Sequence, residues 1–146
     1  MPARGVDTAG PEETEAVGAS IAAELRDGDV VLVCGELGAG KTTLVRGAAR
    51  ALGVRDPVTS PTFAIGNRYR AGDATVSHLD LYRLGTLAGE ELDLLADYLG
   101  PGRIAFVEWP AEDEPELAGA RVRVTLTHEG ADRRRVELEY LDDAPG

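Results

Sequence analysis

The residues best equipped for chemistry stand eight in a row: Gly35-Glu36-Leu37-Gly38-Ala39-Gly40-Lys41-Thr42. They satisfy the spacing G-x-x-x-x-G-K-[ST], in which glycines let successive backbone N–H groups turn inward around a phosphate and a helix begins at the lysine. The chemistry expected is the holding of ATP. Backbone N–H groups of the loop, from Glu36, Leu37, Gly38, Ala39 and Gly40, surround the β-phosphate, and the helix N-terminus adds its partial positive charge. The Lys41 ammonium bridges the β- and γ-phosphates and the Thr42 hydroxyl ligates Mg²⁺. Lys41 is singular in another way. The chain has fifteen Lys and Arg residues, of which fourteen are arginine and Lys41 is the one lysine. Surface positions tolerate either cation, whereas this pocket needs a compact ammonium on a flexible stem.

Such a loop requires an acidic group at the end of a neighbouring strand, to hold the metal or to orient water. Glu108 directly follows the apolar run Ile104-Ala105-Phe106-Val107 and fits that role; the plain alternative is a strand-end carboxylate facing solvent. In His78-Leu79-Asp80-Leu81-Tyr82-Arg83, strand alternation predicts a polar face carrying His78, Asp80 and Tyr82, with Leu79 and Leu81 facing the core. Asp80 is therefore a second candidate for contact with Mg²⁺ or water, and an exposed strand carboxylate is the competing reading. Ser60-Pro61-Thr62 follows the helix of the phosphate loop, where segments that sense a γ-phosphate occur. Trp109 could serve nucleotide, partner or packing, packing being the commonest role of a lone tryptophan. Arg133-Arg134-Arg135 could meet a phosphate or a base, or sit in a solvated turn.

These groups need a scaffold to bring them together, and the pattern of apolar residues predicts one. Pro11-Glu12-Glu13 opens a helix in which Val17, Ile21 and Leu25 form a stripe, ending near Asp27-Gly28. Val30-Val31-Leu32-Val33-Cys34 is a continuous β-rich run, the pattern of a central strand buried on both faces. Cys34 in it reads as a small buried residue and not a reactive thiol. From Lys41 a helix puts Leu44, Ala48 and Leu52 on one face and stops at Gly53. Residues 63–69 and 75–82 flank a polar turn and predict an antiparallel hairpin, and residues 89–100, with their leucines, a helix. Residues 104–107 are a short buried strand. Val122, Val124 and Leu126 alternate with polar residues, as do Val136, Leu138 and Tyr140 beyond Glu129-Gly130, which predicts a second hairpin. The fold class expected is α/β: a P-loop NTPase-like mixed β-sheet flanked by helices, with antiparallel hairpins. A chain of 146 residues suits a single domain, 1–146, with residues 142–146 frayed.

Bulk composition narrows the partners. A formal net charge of -11 repels phosphate backbones, which disfavours direct binding of nucleic acid. No apolar run approaches the ~18 residues a membrane span requires, and residues 1–5 lack the apolar core of a signal peptide, so the cytoplasm is the expected location.

Four blocks in order extend the argument beyond the phosphate loop. Gly35 to Thr43, then Ser60-Pro61-Thr62-Phe63, then His78-Leu79-Asp80-Leu81-Tyr82-Arg83-Leu84, then Val107-Glu108-Trp109-Pro110 together resemble the bacterial TsaE family, from about Thr14 to the final hairpin. The resemblance implies an ATPase of tRNA threonylcarbamoyladenosine (t6A) biosynthesis. Such a protein joins the proteins TsaD and TsaB and supports modification of adenosine 37 in tRNAs reading ANN codons, without itself transferring the carbamoyl group. It implies ATP and Mg²⁺ as cofactors, with tRNA met only through the partners. It also implies Thr42 and Glu108 as Mg²⁺ groups, Asp80 as an aid to hydrolysis and residues 60–63 as a switch-like loop. Thr14 and Thr43 would lie near the nucleotide. A nucleotide-contacting arginine would lie within residues 133–135, with Arg134 the candidate. Hydrolysis is expected to be weak until a partner completes the site, since a cation supplied in trans raises such rates on the order of 10³-fold or more.

The runner-up is a small-molecule P-loop kinase, which would need an acceptor pocket and an arginine-bearing lid; no lid segment is evident in residues 53–100. A GTPase is disfavoured by the lack of an N-K-x-D sequence. A nucleotide-sensing module without turnover is disfavoured by Glu108 and Asp80.

Overall fold

A computed structural model of the chain describes residues 4–35, 40–59, 66–80, 98–108 and 120–141. Seven strands and two helices follow in the order β1 (Arg4–Thr8), α1 (Pro11–Ala22), β2 (Val30–Gly35), α2 (Lys41–Leu52), β3 (Gly66–Ala71), β4 (Ala74–Asp80), β5 (Arg103–Glu108), β6 (Val122–His128) and β7 (Arg134–Tyr140). The strands form one mixed sheet in the order β1-β7-β6-β2-β5-β4-β3. Its centre is parallel: β2 pairs with β5 and with β6, and β5 pairs with β4. Its flanks are antiparallel, in the two expected hairpins β3–β4 and β6–β7 and in a further strand, β1, laid on β7.

The central strand is β2, whose Val30 to Val33 are buried as its apolar run predicts. Cys34, expected to be buried, is half-buried, because β2 emerges there toward the phosphate loop. One face of the sheet carries both helices. Val31, Val33, Phe106, Val124 and Val136 pack there against Val17 and Ile21 of α1 and Leu44, Val45 and Ala48 of α2. The opposite face holds a smaller cluster of Val30, Leu32, Leu79, Ala105 and Val107, with Tyr98 and Ala120.

The two helices meet almost backbone to backbone. A Cβ added at Gly18 of α1 would stand 2.1 Å from the carbonyl oxygen of Leu44, and one at Gly47 of α2 would stand 2.0 Å from that of Glu15. Only glycine permits this approach, which brings the first turn of α1 to the first turn of α2.

Several expectations need correction. The first helix ends at Ala22, well before Asp27-Gly28. Glu24 and Leu25 instead donate to carbonyls three residues back, Ile21 and Ala22, and the Arg26 N–H that would have continued the helix is taken by the Asp29 carboxylate at 2.7 Å. The β4 face carrying His78 is not a polar surface: His78 and Val76 are both buried beneath the helices, and Leu79 is buried on the other side. The strand β1 had no counterpart among the expected elements. Of the expected helix at residues 89–100, only residues 98–100 are described, and they form a turn; the rest lies outside the described residues. Among the described residues no helix is long and apolar enough to cross a membrane.

Candidate functional site

The site forms where the parallel strands β4 and β5 end level, beside β2, which runs on to Gly35. In the β2–β5 ladder Val33 faces Glu108, and in the β4–β5 ladder Asp80 faces the same Glu108. The β2 chain then leaves the sheet at Gly35, and α2 begins at Lys41 after Gly40, whose φ of 95° is left-handed. That conformation is one a β-carbon disfavours. Alternation places His78, Asp80 and Glu108 on the helix-bearing face, in phase with Val76, Ile104 and Phe106.

Their side chains converge on the first turn of α2. The Thr42 hydroxyl donates to Glu108 Oε2 at 3.1 Å. His78 Nε2 contacts the same oxygen. Lys41 is 4% exposed and donates from Nζ to the carbonyl of Gly35 at 2.8 Å, closing the loop's two ends on each other. Asp80 is half-buried at the neighbouring strand end.

A second group opens on the outer side of the same turn. Pro11, Thr14, Gly40, Thr43, Asp132 and Arg134 line a shallow hollow of about 60 Å³. Thr14 is buried, with its hydroxyl 2.9 Å from that of Thr8. A Cβ at Gly40 would reach 3.6 Å from Arg134 Nε and 3.9 Å from Thr14 Cγ2, so a side chain there would fill the hollow. Arg134 Nη1 donates to the carbonyls of Ala131 at 3.0 Å and Arg133 at 2.9 Å. Ala131 itself has the unusual φ of 47°, and its carbonyl also meets His128 Nε2 at 3.0 Å.

Of the three consecutive arginines, Arg134 alone lines this hollow. It lies in phase with the core residues Val136 and Leu138, whereas Arg135 pairs with Asp7 Oδ1 at 3.2 Å and Arg133 is exposed. The structure thus brings Lys41, Thr42, Glu108 and Asp80 to one side of the α2 N-terminus, and Thr14, Thr43 and Arg134 to the other. Pro11 was read from sequence only as the start of a helix, and Asp132 was not singled out. Neither belongs to a motif, and Asp132 sits in a turn without periodicity. The contact of His78 with Glu108 was also missed, although strand alternation had already set His78 and Asp80 on one face. Glu36, Leu37, Gly38, Ala39, Trp109 and residues 60–63 lie outside the described residues.

The donors suit the groups that the phosphate loop implies. Thr42 and Glu108 offer hard oxygen atoms, and Mg²⁺ takes one or two protein oxygens and completes its octahedron with water and phosphate. Among the described residues no three His, Cys, Asp or Glu side chains converge as a metal cage would require. The hollow adds an arginine and hydroxyls beside the helix N-terminus, chemistry suited to the rest of a nucleotide.

Comparisons with known proteins agree on one family. The model of "Threonylcarbamoyl adenosine biosynthesis protein TsaE" matches residues 8–136. The tRNA threonylcarbamoyladenosine biosynthesis protein TsaE of Bacillus subtilis is 38% identical over 129 residues, spanning 88% of this chain and 80% of that protein. The protein of the same name from Synechocystis is 46% identical over 107 residues, spanning 71% and 68%. A crystal structure of Bacillus subtilis YdiB superposes with a TM-score of 0.78 at 32% identity, covering 97% of this chain and 87% of that one.

Proposed function

The chain belongs to the TsaE family, whose members act in tRNA threonylcarbamoyladenosine biosynthesis, and we propose that its part in that pathway is to bind and hydrolyse Mg-ATP. The observation that carries this reading is the Thr42–Glu108 hydrogen bond of 3.1 Å at the N-terminus of α2, beside a buried Lys41. A threonine hydroxyl joined to a strand-end carboxylate is the pair of oxygens by which a P-loop site holds its metal.

In this reading Lys41 exchanges its bond to the Gly35 carbonyl for bonds to the β- and γ-phosphates. Thr42 and Glu108 would hold Mg²⁺, which when bound would supply positive charge to offset that developing on the phosphate oxygens. Asp80 and Glu108 orient the attacking water, and Thr14, Thr43 and Arg134 hold the remainder of the nucleotide. The protein works in the cytoplasm as an accessory to TsaD and TsaB and does not transfer the threonylcarbamoyl group. A chain of net charge -11 leaves the tRNA to those partners.

The test is reconstitution. With TsaD, TsaB, the enzyme that supplies the threonylcarbamoyl donor, and unmodified tRNA, this protein is expected to be required for repeated turnover, and its Lys41→Ala variant is expected neither to bind ATP in calorimetry nor to support modification. Full multi-turnover yield without the protein, or unchanged ATP affinity in the variant, would sink the reading. Nucleosides and sugars offered as acceptors in a coupled assay should receive no phosphate; transfer to one of them would favour a kinase.

A further inference from the structure

His78 is wholly buried, and the reading above gives it no part. It reaches Glu108 Oε2 through Nε2, while its Nδ1 has no hydrogen-bond partner among the described residues. Thr42 donates to that same Oε2, and among the described residues nothing donates to Oε1. The placement of the ring proton follows. Were the proton on Nδ1, a buried N–H would lack an acceptor, and the bare Nε2 would press its lone pair against a carboxylate oxygen. With the proton on Nε2 the ring donates to Oε2, and only an acceptor nitrogen goes unpaired, the commoner and less costly kind of buried vacancy.

We propose that His78 is a positioning residue, which pins the Glu108 carboxylate through Oε2 and so reserves Oε1 for the metal or its water. Glu108 ends a strand and its side chain has several rotatable bonds; Thr42 alone is one anchor, and it must also face the metal. His78 supplies a second anchor from a different strand. It comes from β4, whose residues 78 and 80 face residues 106 and 108 of β5 in parallel register. A buried imidazole on a rigid strand loses little freedom in making this bond, and partners that orient a metal-binding group commonly carry about 10–100-fold in metal affinity or activity. The proposal rests on the reading that Glu108 serves metal and water.

Two measurements test it. The chain has only two histidines, so long-range ¹H–¹⁵N correlation spectra of the nucleotide-free protein resolve both rings, and His128→Gln identifies the second. His78 is expected with its proton on Nε2; a proton on Nδ1 overturns the proposal without reference to catalysis. The second measurement compares His78→Leu, which has no donor, with His78→Gln, whose amide nitrogen can donate from a similar position. In the complete assembly His78→Leu should lower kcat about 10–100-fold and raise the Mg²⁺ concentration needed for half-maximal rate, while His78→Gln stays within about threefold of the parent. Affinity for ADP without Mg²⁺, by calorimetry, should be the same in all three. A Leu variant at the parental rate, or a Gln variant as impaired as Leu, overturns the proposal. Glu108→Gln run alongside separates the two ideas: normal hydrolysis there removes the reading of Glu108, whereas loss there with none in His78→Leu removes only the role of His78. Should the Leu variant not fold, the ring spectrum decides.

Discussion

On the strand side of the α2 N-terminus, Lys41 and Glu108 are 4% and 3% exposed and His78 not at all, with Thr42 and Asp80 half-buried, whereas on the outer side Thr14 is buried, Thr43 and Arg134 are half-buried and Asp132 is exposed. Of the inner groups, His78, Asp80 and Glu108 stand on parallel central strands while Lys41 and Thr42 open α2, and Glu108 bonds to both Thr42 and His78. The outer ones come from α1, from the start of α2 and from the β6–β7 turn, and Arg134 bonds to carbonyls of its own turn. Charges held in a dry interior act at full strength and need no rearrangement as charge develops, which is what a reaction's transition state rewards. Groups at a wet rim are screened and adaptable, and they add affinity more than rate. The inner side should therefore govern turnover and the outer side occupancy.

The sharpest way to break this contrast is Glu108→Gln. It should lower ATP hydrolysis in the assembled complex on the order of 10²–10⁴-fold, as loss of a group that activates water does, while much of the nucleotide affinity survives. A rate near the parental one would remove the distinction between the two sides. Gly47→Ala asks whether the sides are held together by the helix crossing. Forcing a methyl group against the Glu15 carbonyl, 2.0 Å away in the present packing, should destabilise the fold by about 1–3 kcal/mol, read as a lower Tm. An unchanged Tm would mean that α1 can shift freely and that Thr14 is not held at the loop by this crossing. Arg134→Ala should weaken ATP binding by roughly tenfold, about the ~1.5 kcal/mol of one charge-assisted hydrogen bond, with kcat at saturation nearly unchanged. A fall in kcat instead would move Arg134 to the catalytic side.

Much of the inner side can be read in the sequence because its signals are local. The phosphate loop is contiguous, the apolar runs before it and before Glu108 are unbroken, and the stop at Gly53 stands where the helix ends. The hairpins also follow their alternation. What escaped depends on contacts distant in sequence. The strand β1 buries only Thr8 and owes its place to pairing with β7, some 130 residues away. Burial of the His78 face arises because α2 covers it, which no alternation within β4 can announce. Arg134 is intermediate: its phase with Val136 and Leu138 marks its face, but only the placement of the turn beside Gly40 gives that face a meaning. Asp132 carried no sequence signal at all.

The register that sets Val33, Asp80 and Glu108 side by side has a consequence of its own. Side chains alternate strictly along a strand, so removing one residue between Arg103 and Glu108 would turn the carboxylate to the far side of the sheet even if every functional residue were kept. The site is written in the chain as a count as well as an alphabet. Its strands serve as rulers laid side by side, and a change of one unit in any of them would erase the mark that all three share.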